Sequence, residues 1–160
     1  MRDDSGNPVP IPDTYTSAED LPWNHLRSQV ERILIADTDA GFQNYMPKQL
    51  DYWFADMPYL SHINLTLLNT SGVTSLTGMF KNDRHLQRIY MEKDNNNNGK
   101  LYSSSTDFSK GMDVFTGCNK LLGYNHPETG TYDTSYESEK VSNYTYGRLN
   151  GMDSNKGYIT

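Results

Sequence analysis

The sequence predicts an α/β repeat: a short right-handed solenoid with a small parallel sheet and short helical turns, capped at both ends. Three observations carry this. A hydrophobic register, F-x5-L-x2-I, occurs at Phe54, Leu60 and Ile63 and again at Phe80, Leu86 and Ile89. It returns with Tyr in the last place at Phe115, Leu121 and Tyr124, and in part as Val30 and Ile33, so the closing positions recur at spacings of 30, 26 and 35 residues. Self-similarity at such periods marks stacked repeats. Secondly, only 35% of the 160 residues are hydrophobic and the mean hydropathy is -0.77. A thin core suits units that each bury one or two layers of side chains against their neighbours. Thirdly, Ala is scarce while Asn, Thr, Ser, Asp and Tyr abound, which favours short strands and turns over long helices.

Taken in order, residues 1–20 are polar, with Pro8, Pro10 and Pro12 alternating, and read as a flexible linker or leading arm. Order is expected from Leu21-Pro22-Trp23, with Trp23 as a plug over the first repeat. Residues 21–124 form about four units. Val30–Ala36 alternates into a strand with Val30, Ile33 and Ile35 inward. A loop with Gly41 and Pro47 follows. Leu50, Trp53 and Phe54 then share one side of a helical turn, and Leu60 with Ile63-Asn64-Leu65 makes the second strand. Val73, Leu76, Met79 and Phe80 recur at i, i+3, i+6 and i+7, the spacing of a short amphipathic helix. Leu86, Ile89 and Met91 give the third strand. The run Glu92 to Asp107 is polar and Asn-rich, and inserts nine residues into the third period. Met112, Val114 and Phe115 make the last helical turn, and Leu121-Leu122 with Tyr124 the last strand. Residues 125–160 break the period and suit a C-terminal cap. Connections between successive parallel strands are expected to be right-handed.

Composition excludes several function classes. The net charge of -6 argues against nucleic acid or an anionic membrane surface as partner. No stretch approaches the roughly 18 apolar residues of a membrane span, and the first residues show no apolar h-region of a signal peptide. One cysteine, Cys118, allows no intrachain disulfide and reads as a small buried hydrophobe.

The run LNTSGVTSLTGMFKNDRHLQRIY resembles the BspA-like, DUF285-type leucine-rich repeat of bacterial surface proteins. The pattern is close to LNTS-x-VT-x-M-x-x-MF-x-x-C-x-x-L-x-x-I, matched here by Asn69-Thr70-Ser71, Val73-Thr74, Met79-Phe80, Leu86 and Ile89. Leu76 stands for the first Met and Asp83 for the Cys, which returns as Cys118 in the last unit. LPWNHLRSQVERILI resembles the segment leading into the family's first repeat. Thr131-Tyr132-Asp133, Tyr144 to Gly151 and Asn155 to Thr160 resemble its terminal segment. The resemblance covers residues 21–160. It implies a leucine-rich-repeat-like solenoid, extracellular or at the cell surface, that binds a host or bacterial surface protein or glycan without catalysis, and it implies no cofactor. Fold-level analogy names no ligand.

Strand parity supplies the candidate site. With Ile33, Ile63 and Ile89 inward, their neighbours point outward. That aligns Arg32 and Leu34, His62 and Asn64, and Arg88 and Tyr90 across the sheet, with Thr66 and Glu92 extending it. Arg, Tyr, His and Asn are types that make adaptable contacts at binding surfaces; a solvated sheet face without ligand is the alternative. A weaker candidate is Asp94, Asn96 and Asn98 with Gly99, the first half of a calcium loop whose twelfth position is Ser105 rather than Glu. A mobile Asn-rich hairpin is the other reading of that stretch. His25, His62, His85 and His126 show no ligand spacing. Glu128, Asp133, Glu137 and Glu139 read as a solvated run rather than a glycosidase pair, and no nucleophile or phosphate-binding motif is present. The sequence therefore points to a non-catalytic recognition or adhesion module. A polysaccharide-acting solenoid enzyme and a purely structural spacer are the alternatives.

Overall fold

The structure, a computed structural model, describes residues 5, 11, 15–35, 45–91, 101–102 and 113–121. Three short strands, β1 (Arg32–Leu34), β2 (His62–Asn64) and β3 (Arg88–Tyr90), pair in parallel in the order β1-β2-β3. Ile33, Ile63 and Ile89 are register partners. The ladder includes Ser61 N–H to the Glu31 carbonyl at 2.9 Å, Ile35 N–H to Asn64 at 3.1 Å and Leu65 N–H to Tyr90 at 2.8 Å. Alternation of period two puts the branched isoleucines on the core face and the polar residues, with Leu34, on the other. After β2 the Asn64 Oδ1 accepts the Thr66 N–H at 2.9 Å, a local bond that turns the chain out of the strand.

A second ladder runs through segments where the apolar spacing predicts helical turns. Residues 51–56, 77–82 and 114–117 form turns. The N–H groups of Leu50, Tyr52, Phe54 and Asp56 donate sideways to the carbonyls of Ser75, Thr77, Met79 and Lys81, at 3.0, 3.0, 2.9 and 2.7 Å. Phe80 and Asn82 donate onward to Val114 and Thr116 at 2.9 and 2.7 Å. In a helix these N–H groups would serve carbonyls four residues back in the same segment; here alternate ones bond to the following turn. Left-handed residues bend each segment: Tyr52 and Asp56, then Gly78 and Asn82, then Asp113 and Gly117. These are the same two places in each turn, spaced 26 and 35 residues apart, like the apolar register. Gly, Asn and Asp tolerate that conformation best. Gly78 is required twice over, because its φ is +60° and a Cβ there would lie 2.7 Å from the Tyr52 ring.

Inside, Phe54, Phe80 and Phe115 form one stack, with centroids 5.6 Å apart in both steps. Trp53 meets Phe54 edge-on at 6.0 Å and Trp23 edge-on at 5.5 Å. Leu60, Leu86 and Leu121 are buried in the same core as Ile63 and Ile89. Burying each of these side chains contributes roughly 1.5–3 kcal/mol, and aromatic pairs add about 0.5–1.5 kcal/mol.

The first turn gives its N–H groups forward and has carbonyls of its own to satisfy. Four carbonyls in and just before it accept from side chains of the leading segment. Tyr15 Oη donates to the Gln49 carbonyl at 3.2 Å, Trp23 Nε1 to Trp53 at 2.6 Å, and Arg27 Nη1 to Ala55. Arg27 Nη2 also reaches the Tyr52 carbonyl at 2.9 Å. Unpaired buried carbonyls are costly, so this segment closes the end of the ladder as well as covering apolar surface. The 1–20 arm is docked over part of its length: Tyr15 is buried, and Ala18–Asp20 form a 3-10 turn ahead of a second at Asn24–Leu26. The C-terminal cap expected at 125–160 lies outside the described residues.

Candidate functional site: the outer face of the sheet

Parallel pairing brings the predicted face together. Arg32, His62 and Arg88 are register partners in one row, and Leu34, Asn64 and Tyr90 in the next. Adjacent strands stand about 4.8 Å apart, so each row is a line of side chains perpendicular to the strands. Leu34 is 69% exposed and Tyr90 38%, well beyond what a Leu and a Tyr need for their own packing. Arg32 is exposed, while His62, Asn64, Thr66 and Arg88 are half-buried.

Two contacts organise the face. The His62 and Tyr90 rings are near-parallel, 10° between planes with centroids 6.3 Å apart. They are diagonal neighbours across β2 and β3, so the pair links the two rows and narrows both rotamers. His62 Nδ1 lies 3.0 Å from the Ser61 hydroxyl, which further fixes the ring. Asn64 spends its carbonyl oxygen on the Thr66 N–H, so part of its polar capacity serves the fold. Glu92, at the end of the predicted row, and the calcium-loop candidates Asp94, Asn96 and Asn98 lie outside the described residues.

A second surface pair escaped the parity argument. Tyr59, exposed, stacks on exposed His85 at 6.3 Å and 22°, and His85 Nδ1 is 2.6 Å from the Pro58 carbonyl. Both residues precede their strands, where alternation does not apply. Their 26-residue separation, the period itself, is the signal that finds them. At the β1 end of the face lies an apolar cavity of about 490 Å³, lined among others by Trp23, Val30, Ile33, Phe54 and Met57, with Arg32 and Leu34 contributing to its wall.

The remaining chemically notable groups serve the interior. Cys118 is buried, its Sγ is 2.9 Å from the Phe80 carbonyl as donor, and burial pushes its thiol well up; a thiol held protonated is a poor nucleophile. Asp83 is fully buried. One carboxyl oxygen accepts the Met57 N–H at 2.9 Å, the other has no hydrogen-bond partner, and burial pushes its pKa up to about 9. Burial lowers the pKa of Arg27 despite the Coulombic pull of Asp56 and Asp83. Among the described residues no three His, Cys, Asp or Glu side chains gather as a metal site would require. Neither a family model, nor a curated protein, nor a solved structure matches the chain.

Proposed function

We propose that this chain is a non-catalytic recognition module of an extracellular or surface protein. In this reading it is a short leucine-rich-repeat-like solenoid of the BspA-like kind, binding a protein or glycan through the outer face of its sheet. One observation carries the reading: Arg32, His62 and Arg88 are register partners in a single row. Beside them stand exposed Leu34 and the stacked His62–Tyr90 pair. Arg and Tyr are the types that dominate binding hot spots, and a parallel ladder spaces them without cost to the core. The resemblance over residues 21–160 supports the same direction.

The test is an array of glycans and extracellular matrix proteins probed with the wild-type chain and with the Arg32→Glu and Arg88→Glu variants. The reading expects at least one ligand held by the wild type and lost by both variants. Identical profiles for all three proteins would remove the sheet face from consideration, and an array without any hit would favour a structural spacer.

A further inference from the structure

We propose that Tyr15, Trp23 and Arg27 act as a stop on the turn ladder, holding off a second copy of this chain that would otherwise add to its first turn. The inference is independent of what the sheet face binds. It starts from register. Within the ladder, Leu50, Phe54 and Asp56 donate their N–H groups to the carbonyls of Ser75, Met79 and Lys81. Phe80 and Asn82 then donate to Val114 and Thr116, which stand 35 residues beyond Met79 and Lys81. The carbonyls 26 residues before Ser75, Met79 and Lys81 are those of Gln49, Trp53 and Ala55. These are the ones that the leading segment meets: Tyr15 Oη on Gln49 at 3.2 Å, Trp23 Nε1 on Trp53 at 2.6 Å and Arg27 Nη1 on Ala55. Three side-chain donors thus stand where the backbone N–H groups of a preceding turn would come.

A row of backbone acceptors at alternate residues is a template for any segment that brings N–H groups at the same interval. Side-chain donors satisfy the row and also end it. The backbone that carries them is wound into 3-10 turns at Ala18–Asp20 and Asn24–Leu26, where the N–H groups of Asn24, Leu26 and Arg27 bond locally to Leu21, Trp23 and Asn24. Each donor is also held in place. Gln49 Nε2 donates back to the Tyr15 carbonyl at 2.9 Å, Trp23 packs edge-on against Trp53, and Arg27 Nε donates to Asn24 Oδ1 at 3.0 Å. Chemistry also selects the partner. At these positions the first turn offers acceptors, so two first turns facing each other have no donors to exchange. A turn-shaped segment with N–H groups at alternate residues fits, and that is how this chain's own turns meet the turn that follows. A second copy would therefore add head to tail, in a contact that runs on as an open chain instead of closing as a symmetric dimer.

The experiment compares the full chain with its Tyr15→Phe/Arg27→Met variant by analytical ultracentrifugation over a series of concentrations. The two changes keep the apolar cover of the first turn and remove two of the three donors. The expected result is a weight-average mass about twofold or more above the wild type at the top of the series, still rising with concentration and reversed by dilution. Tyr15→Phe/Arg27→Lys, which keeps one donor for the Ala55 carbonyl, should fall between the two. Circular dichroism establishes that each protein is folded. If the double variant does not fold, Tyr15→Phe alone, which loses only one hydroxyl, is read by the same criteria. A folded variant with the wild-type mass at every concentration overturns the proposal. So does a gain that saturates at the dimer, because that is the closed contact that a row of acceptors cannot make. A gain that dilution does not reverse, accompanied by loss of the folded spectrum, assigns the association to unfolding and overturns it as well.

Discussion

Replacing Asp83 with Asn should stabilise the protein, and by an amount that grows with pH. Asp83 occupies the place held by Met57 in the preceding turn and by Cys118 in the following one. It is 0% exposed, with one oxygen on the Met57 N–H and the other unpartnered. Its pKa rises from 3.8 to about 9, chiefly through burial and only partly offset by the Met57 hydrogen bond and Arg27. In the unfolded chain the group titrates near 3.9. Below that pH both states are protonated and the group makes no pH-dependent contribution. Between about pH 4 and pH 9 the folded state holds a proton that the unfolded state has released, so stability falls as pH rises. The full loss is reached above pH 9. At 1.36 kcal/mol per pH unit, the deficit at pH 8 is on the order of 5 kcal/mol. Asn keeps an acceptor for Met57 and cannot ionise. Urea denaturation of both proteins at several pH values between 4 and 9 measures the difference. It should be small at pH 4 and widen steadily toward pH 9. A difference that is constant across the range would refute the reasoning, because it would mean that Asp83 releases its proton equally in both states.

Other perturbations probe the scaffold. Phe80→Ala removes the middle ring of the Phe54–Phe80–Phe115 stack and should cost roughly 3–5 kcal/mol in chemical denaturation; a loss under about 1 kcal/mol would mean that the stack is not the core. Arg27→Ala leaves the Ala55 carbonyl without its guanidinium donor and takes the second donor from the Tyr52 carbonyl, which keeps the Ala55 N–H, and should cost about 1–3 kcal/mol. Arg27→Lys should recover only part of this, since one ammonium cannot reproduce the guanidinium fork, and the melting temperatures of the two variants give the order. Gly78→Ala places a Cβ in a left-handed residue and against the Tyr52 ring. A cost of about 1–3 kcal/mol is expected, and a second change, Tyr52→Ala, should relieve the steric part of it.

The parts of the fold legible in the sequence are those set by side-chain alternation and by the recurring apolar register. Ile33, Ile63 and Ile89 are register partners, as their spacing requires, and the parity that follows from them lines up Arg32, His62 and Arg88. The turns were not legible, because apolar residues at i, i+3 and i+7 serve a helix and a laterally bonded turn alike. The distinguishing signal lay in the residues between them. Gly78 and Gly117, with Asn82, Asp56 and Asp113, mark left-handed positions at the repeat spacing, whereas Tyr52 at such a position carries no such signature. Trp23 was legible as a plug, but the donors of Tyr15 and Arg27 were not, since nothing local says that the first turn's carbonyls need them. Asp83 could be read as standing where the resembled pattern has Cys, while the Met57 N–H that it accepts, 26 residues earlier in the chain, was not legible.

The central claim is that ligand contacts the face of the sheet. Backbone amide chemical shifts, followed by NMR as a ligand found on the array is titrated into the full chain, test it most directly. The account predicts the largest changes at Arg32–Leu34, His62–Asn64 and Arg88–Tyr90, saturating together at one affinity. Changes confined to the turn segments 51–56 and 77–82, with the three strands unmoved, would contradict it.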